Sequence, residues 1–259
     1  MPETLQGLFG GVSYASMAVV AGAVLLAGFL RGFVGFGAAL VIVLVLSIVL
    51  GPVVAVPISS LAGIPAMCQL MPNAIRYSER RFVVPFGLAT FAAAPLGTWI
   101  LVSVNADLMK IAISGFVLLM VVMLYRGWRL PVGSGRFGLI YAGAAAGLVQ
   151  GAGGVGGPPA VAIALSRPGT SHQQRANVIG VVNALTLCSL VPLWYHGLFT
   201  REVVLISIVL VPLYVVSTWV GARFFSHSGH RHYRLAALLA LAAIGVVTMA
   251  HSIRDFAAG

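Results

Sequence analysis

The residues of this sequence that could do chemistry gather around two glycine-rich stretches. The longer one is Gly151-Ala152-Gly153-Gly154-Val155-Gly156-Gly157-Pro158-Pro159. Five glycines in seven residues, closed by two prolines, cannot continue a helix. Glycine costs about 1 kcal/mol per helical position relative to alanine, and proline about 3. The flanks, residues 137–149 and 160–165, are apolar and uncharged. The stretch therefore reads as a broken helix whose freed N–H groups face something polar. A helix N-terminus carries roughly half a positive charge and suits an anion. A weaker copy, Gly32-Phe33-Val34-Gly35-Phe36-Gly37, directly follows Arg31. The candidate ligand groups are thus Gly32, Gly35 and Gly37 in the first stretch and Gly151, Gly153, Gly154, Gly156 and Gly157 in the second. Arg31 and Gln150 stand immediately before them. Gln69, Asn177 and Asn183 are uncharged polar residues inside apolar runs and complete the set, although such residues also serve as hydrogen-bond glue between helices.

Other chemistries find no support. Residues 151–156 satisfy G-x-G-x-x-G, but a nucleotide site needs a preceding strand, a following helix in a βαβ unit and an acid about 20 residues on. No Asp or Glu occurs between Asp107 and Glu202. No Ser/His/Asp or Cys/His set is visible, so an enzyme is not expected. The histidines show no metal-ligand spacing, and neither a metal nor a cofactor is expected. Cys68 and Cys188 lie in apolar runs and read as small core residues. The bland reading of the glycines is tight helix packing, with Gly153 and Gly157 forming a GxxxG pair. That reading leaves Pro158-Pro159 unexplained.

Composition says what must hold these groups. The chain has 259 residues, 60% hydrophobic and 8% charged, against about 25% charged in a soluble domain. It reads as an all-α integral membrane protein, because the apolar runs are long and strand-type alternation is absent. Unwound backbone at membrane depth survives only where protein buries it or where it lines a wet cavity. The net charge of +10 would suggest nucleic acid in a soluble protein. Here the basic residues sit between apolar runs, which is membrane topology. The first eleven residues lack a basic region, so no cleavable signal is expected. About ten apolar segments follow: 12–30, 38–50, 53–71, 82–104, 111–125, 137–150, 160–165, 176–194, 203–225 and 235–250. Several are too short to span alone, since about 20 residues cross the hydrocarbon core.

The chain also repeats itself. Met67-Cys68-Gln69-Leu70-Met71-Pro72 resembles Leu187-Cys188-Ser189-Leu190-Val191-Pro192 at an offset of 120, and Gly97-Thr98-Trp99-Ile100 resembles Ser217-Thr218-Trp219-Val220 at the same offset. The glycine stretches align at 119, which sets Arg31 opposite Gln150. The expected organisation is an N-terminal membrane repeat, 1–130, and a C-terminal one, 131–259. If each of five segments per half reverses direction, the loops 73–81, 126–136, 166–175 and 223–234 share one side. They hold 11 of the 15 Lys and Arg residues, as the positive-inside rule requires of a cytoplasmic face. An odd number of segments makes the two repeats inverted, as in many secondary transporters.

The G-F-V-G-F-G-A-A-L run, the G-A-G-G-V-G-G-P-P run and the duplicated organisation together resemble the TauE/SafE sulfite-exporter-like permeases, over essentially the whole chain. The resemblance implies transport of a small, often sulfur-containing anion such as sulfite, thiosulfate or a sulfonate across a bacterial inner membrane. It carries over no individual residue beyond the two glycine stretches. The absence of acids in the apolar segments independently favours an anion, because a carboxylate relay or cation site has no residues to use. The expected partners are that anion and membrane lipid, with a homo-oligomer left open. The alternatives are a channel-like anion pore and a non-transporting membrane subunit or scaffold whose glycines serve only packing.

Overall fold

The computed structural model describes residues 14–34, 36–126, 136–167 and 169–225, with the isolated positions Val246, Ala250 and Arg254. The first eleven residues and most of the tenth apolar segment lie outside them. Among the described residues the chain forms nine α-helices and no strand. They are α1 (Tyr14–Val34), α2 (Ala38–Leu50), α3 (Pro52–Tyr77), α4 (Arg80–Ser103), α5 (Ala106–Tyr125), α6 (Arg136–Gly153), α7 (Gly157–Ser166), α8 (Ser171–Tyr195) and α9 (Arg201–Phe225). Helices α3, α4, α8 and α9 are long and apolar enough to cross a membrane. Helices α2 and α7 have 13 and 10 residues, about 20 and 15 Å at 1.5 Å per residue, and cannot cross. The protein is a polytopic helical membrane bundle. Leu88, Leu96 and Trp99 of α4 and Ile208, Val216 and Trp219 of α9 lie on its outer surface, each more than half exposed.

Several helix ends differ from the sequence expectation, and each has a local reason. Pro72 does not end α3, which continues to Tyr77; residues 73–77 contain no glycine or proline to break it. The arginine-rich loop expected at 73–81 contracts to Ser78 and Glu79. Helix α1 continues past Arg31 and Gly32 to Val34, and α6 continues through Gly151 to Gly153. Phe36 and Gly37 precede α2 without helical structure, and the second break is short, Gly154–Gly156. Gly51 at positive φ and Pro52 at the first helical position divide α2 from α3 as expected.

The most extensive helix contacts are α4 with α6 and α9 with α1. Glycines make these contacts close. A Cβ on Gly143 or Gly147 of α6 would stand 2.5 Å from the carbonyl oxygen of Phe86 or Thr90 of α4. One on Gly151 would strike that of Ala94. The other pair repeats the pattern: Gly28 meets the Tyr214 carbonyl of α9, Gly32 that of Thr218, and Gly221 that of Phe29. The first helix of each half thus lies against the fourth helix of the other. These glycines sit four residues apart, so they share one helix face. Small-xxx-small spacing lets backbones approach.

The two helix contacts follow one pattern. Gly28 and Gly32 correspond to Gly147 and Gly151 at 119, as the breaks do. Their partners Tyr214 and Thr218 then correspond to Thr90 and Ala94, and Gly221 to Gly97, at an offset of 124. By these contacts Gly97 stands opposite Gly221, one helical turn from the Ser217 that the sequence comparison sets opposite it. Close backbone approach, not the outward-facing tryptophans, sets the phase of these two helices.

The same contacts give helix directions. Ser60 of α3 lies beside Ser189 of α8, and Gly63 beside Thr186; rising numbers meet falling ones, so α3 and α8 are antiparallel. Gly87 of α4 meets Ala184 of α8, and Val83 meets Gly180, so these two run parallel. At the start of α4, Arg167 clasps Glu79 with two hydrogen bonds, that from Nε at 2.8 Å. The Asn177 side chain accepts the Glu79 N–H at 2.7 Å. The turns α3–α4 and α7–α8 therefore meet on one face of the bundle. Cys188 is buried as expected, but Cys68 is exposed, because α3 turns it outward.

Candidate functional site

Both breaks reverse the chain. Gly37 comes back to Leu30 of α1, and Gly156 lies against Ala146 and Gln150 of α6. The turns place the starts of α2 and α7 on one cavity of about 40 Å³, walled also by α1, α3, α6, α8 and α9. A single water needs about 10–15 Å³ by this measure, so the cavity admits about three water-sized groups.

The start of α2 supplies donors. Gly37 adopts φ +95, offers no side-chain cap and begins the helical ladder by accepting from Val41 at 3.3 Å. The N–H groups of Ala38, Ala39 and Leu40 then have no intrahelical acceptor, and all three residues line the cavity. Positive φ is why glycine stands at 37, since a Cβ is strained there. Arg31, on the last turn of α1, is 3% exposed and lines the same wall. Its Nη2 donates to Asn183 Oδ1 on α8 at 2.8 Å. A buried guanidinium beside a helix N-terminus makes this end of the cavity strongly electropositive.

The start of α7 is built differently, which revises the expectation that both breaks offer N–H groups alike. Gln150 Oε1 accepts the Gly156 N–H at 3.1 Å. Pro158 and Pro159 have no N–H. Of the first-turn donors, only that of Gly157 remains. Arg31 and Gln150 both line the cavity, but Arg31 presents a charge to it while the Gln150 side-chain oxygen caps its own break. The positive end of the site belongs to the first half.

The remaining predicted residues separate into distinct roles. Gly37 and Gly157 line the cavity. Gly32 and Gly151 pack α1 on α9 and α6 on α4, and do not line it. Gly153 packs against Ile113 of α5, while nothing lies within 4 Å of a Cβ on Gly157, so the proposed Gly153/Gly157 pair is not a helix interface. Gly154 has φ +67 and a Cβ there would meet Val43 and Val56, so it serves the turn. Gly156 is buried against α6. Gly35 lies outside the described residues. Gln69 is exposed on α3, away from the cavity. Asn177 caps the start of α4. Asn183 reaches the site through Arg31.

The sequence reading missed four hydroxyl groups that line the cavity: Ser59 and Ser60 of α3, Thr186 of α8 and Tyr214 of α9. Ser60 Oγ lies 3.1 Å from the Val56 carbonyl and 3.2 Å from Ser189 Oγ. The adjacent pair Ser59-Ser60 in an apolar run was a usable signal. Tyr214 carried none, because its neighbours in sequence are generic lipid-span residues. No group of three or more His, Cys, Asp or Glu side chains suited to a metal occurs among the described residues.

The fold is that of a polytopic helical membrane protein with a cavity where two short helices begin. The chain belongs to the sulfite exporter TauE/SafE family, whose family model matches residues 20–248. Comparison with curated proteins and with solved structures finds no match. Membership of this family makes the protein a multi-pass membrane permease.

Proposed function

We propose that the protein is a secondary transporter that carries one small sulfur oxyanion across a bacterial inner membrane. The anion binds at the N-terminus of α2, against Arg31. The observation that carries this reading is the buried Arg31 on a cavity it shares with the three first-turn residues of α2. A cation and an unpaired helix N-terminus facing one cavity attract an anion and repel a cation. The hydroxyls of Ser59 and Tyr214 supply neutral donors an oxyanion needs on its other sides. Those of Ser60 and Thr186 can join them by turning from the Val56 and Val182 carbonyls. The size of the cavity favours a compact inorganic oxyanion over an organosulfonate, whose carbon chain needs further room.

The two halves, 1–130 and 131–259, are proposed to be inverted repeats. Antiparallel packing of the equivalent helices α3 and α8 supports this, since repeats of one orientation would bring equivalent helices together parallel. Transporters of that kind place substrate where half-helix termini meet. The arginine-rich turns joined by Glu79 and Arg167 then face the cytoplasm. A thermal-shift screen of the purified protein with sulfite, thiosulfate, sulfate, taurine and sulfoacetate tests the reading, because a ligand of the folded state raises its stability by mass action. An inorganic sulfur oxyanion should shift the melting point and show saturable counterflow in liposomes. Flux without saturation would indicate a pore, and no shift with any anion would favour a scaffold.

A further inference from the structure

The anion reading assigns Arg31 to the ligand, and a second residue governs how Arg31 is presented. We infer that Asn183 is a positioning residue: it holds the Arg31 guanidinium at the cavity wall while leaving its positive charge for the cargo. This rests on the proposed anion site and concerns its mechanism.

The geometry is specific. Arg31 Nη2 donates to Asn183 Oδ1 at 2.8 Å, and the two residues are 3% and 2% exposed. They belong to different halves of the chain, 152 positions apart. The other end of the amide is engaged as well, since Asn183 Nδ2 points to Met71 Sδ at 3.8 Å. A flipped amide would turn two donors toward a guanidinium that has no acceptor of its own. The carbonyl oxygen is therefore held toward Arg31. The next residues on the same helix, Val182, Leu185 and Thr186, line the cavity, so α8 delivers the amide at cavity depth.

The choice of residue type follows from electrostatics. A buried guanidinium needs an acceptor, and carboxylate is the usual one. A carboxylate at 183 would neutralise Arg31 and stand beside the bound anion, where like charges in a low-dielectric site repel strongly. An amide oxygen fixes the same N–H group through a dipole and leaves the net charge of the site unchanged. Asn177, the other asparagine of α8, is used differently: it accepts the backbone N–H of Glu79 at the bundle face.

The test uses the full-length protein in nanodiscs and titrates thiosulfate, sulfite and sulfate by calorimetry. Asn183→Asp keeps the shape and the acceptor but adds a negative charge. It should weaken binding about 100-fold or more at neutral pH. Thiosulfate affinity should recover as falling pH protonates the new carboxyl, a profile absent from the wild type. Asn183→Ala should weaken binding about tenfold through loss of the charge-assisted hydrogen bond. In an Arg31→Gln background it should have no further effect, because residues that act through one another are not additive. That double-mutant cycle decides the matter if the aspartate variant fails to fold. Wild-type binding with an unchanged affinity in Asn183→Asp, or additive losses in the cycle, would overturn this inference alone. A wild type that binds none of the three anions would overturn the anion site itself, and this inference with it.

Discussion

Substituting alanine at Gly151 and at Gly157 separates packing from binding within one glycine-rich stretch. At Gly151 the new Cβ strikes the Ala94 carbonyl oxygen, and Thr98 N stands 2.8 Å from it. Both are helix backbone, which cannot swing aside like a flexible side chain. Relief requires α6 to move away from α4 along the most extensive helix interface of the bundle. Overpacking of this kind costs about 1–3 kcal/mol, which outweighs the gain of about 1 kcal/mol from replacing glycine in a helix. At Gly157 a Cβ meets nothing within 4 Å, and the position opens α7, so folding should be unaffected. The added methyl instead enters a cavity of about 40 Å³ and takes roughly one of its three water-sized places. Misfit by one methyl group changes recognition by about tenfold or more. In nanodiscs, Gly151→Ala should lower the melting temperature, whereas Gly157→Ala should melt like the wild type and bind and transport the anion poorly. A Gly151→Ala protein of normal stability would refute the packing argument. A well-folded Gly157→Ala protein with normal counterflow would refute the cavity as the binding site.

Other outcomes follow from the same geometry. Gly154→Val should lose folded yield as well as transport, because a β-branched residue is strained at φ +67 and its Cβ meets Val43 and Val56; yield and melting temperature check this. Arg31→Gln should weaken anion binding about 100-fold, and Arg31→Lys less, since lysine keeps the charge but lacks the planar fork; calorimetric titration distinguishes them. Single cysteines at Ser78 and Thr200, in a background lacking Cys68 and Cys188, should react with an impermeant maleimide from opposite sides of the membrane, and labelling from one side would sink the inverted topology. Glu79→Gln should lower thermal stability by about 1 kcal/mol, a modest figure because the clasp with Arg167 is only half-buried; the wild type should lose part of that difference at high salt, where the pair is screened.

Much of this protein was decided by its sequence before folding. Long uncharged apolar runs with arginines between them allow only a helical membrane bundle, because lipid offers no partner for open backbone. Glycines followed by Pro158-Pro159 must interrupt a helix, and an embedded Arg31 must find something polar, so the two breaks and the cation were legible as the place to look. Which groups actually share the site was not. Gly32 and Gly151 read as ligand groups, yet they are spent on helix contacts that form only when the first helix of each half meets the fourth helix of the other. Gln150 looked equivalent to Arg31 and lines the same cavity, but its side-chain oxygen is spent on the N–H of its own break. Ser60, Thr186 and Tyr214 arrive from three helices, and no sequence spacing relates them. The sequence specifies each helix through local chemistry of backbone and side chain. The assignment of each polar group to cargo or to structure depends on interhelical distances of a few ångströms, and only the packed bundle sets those.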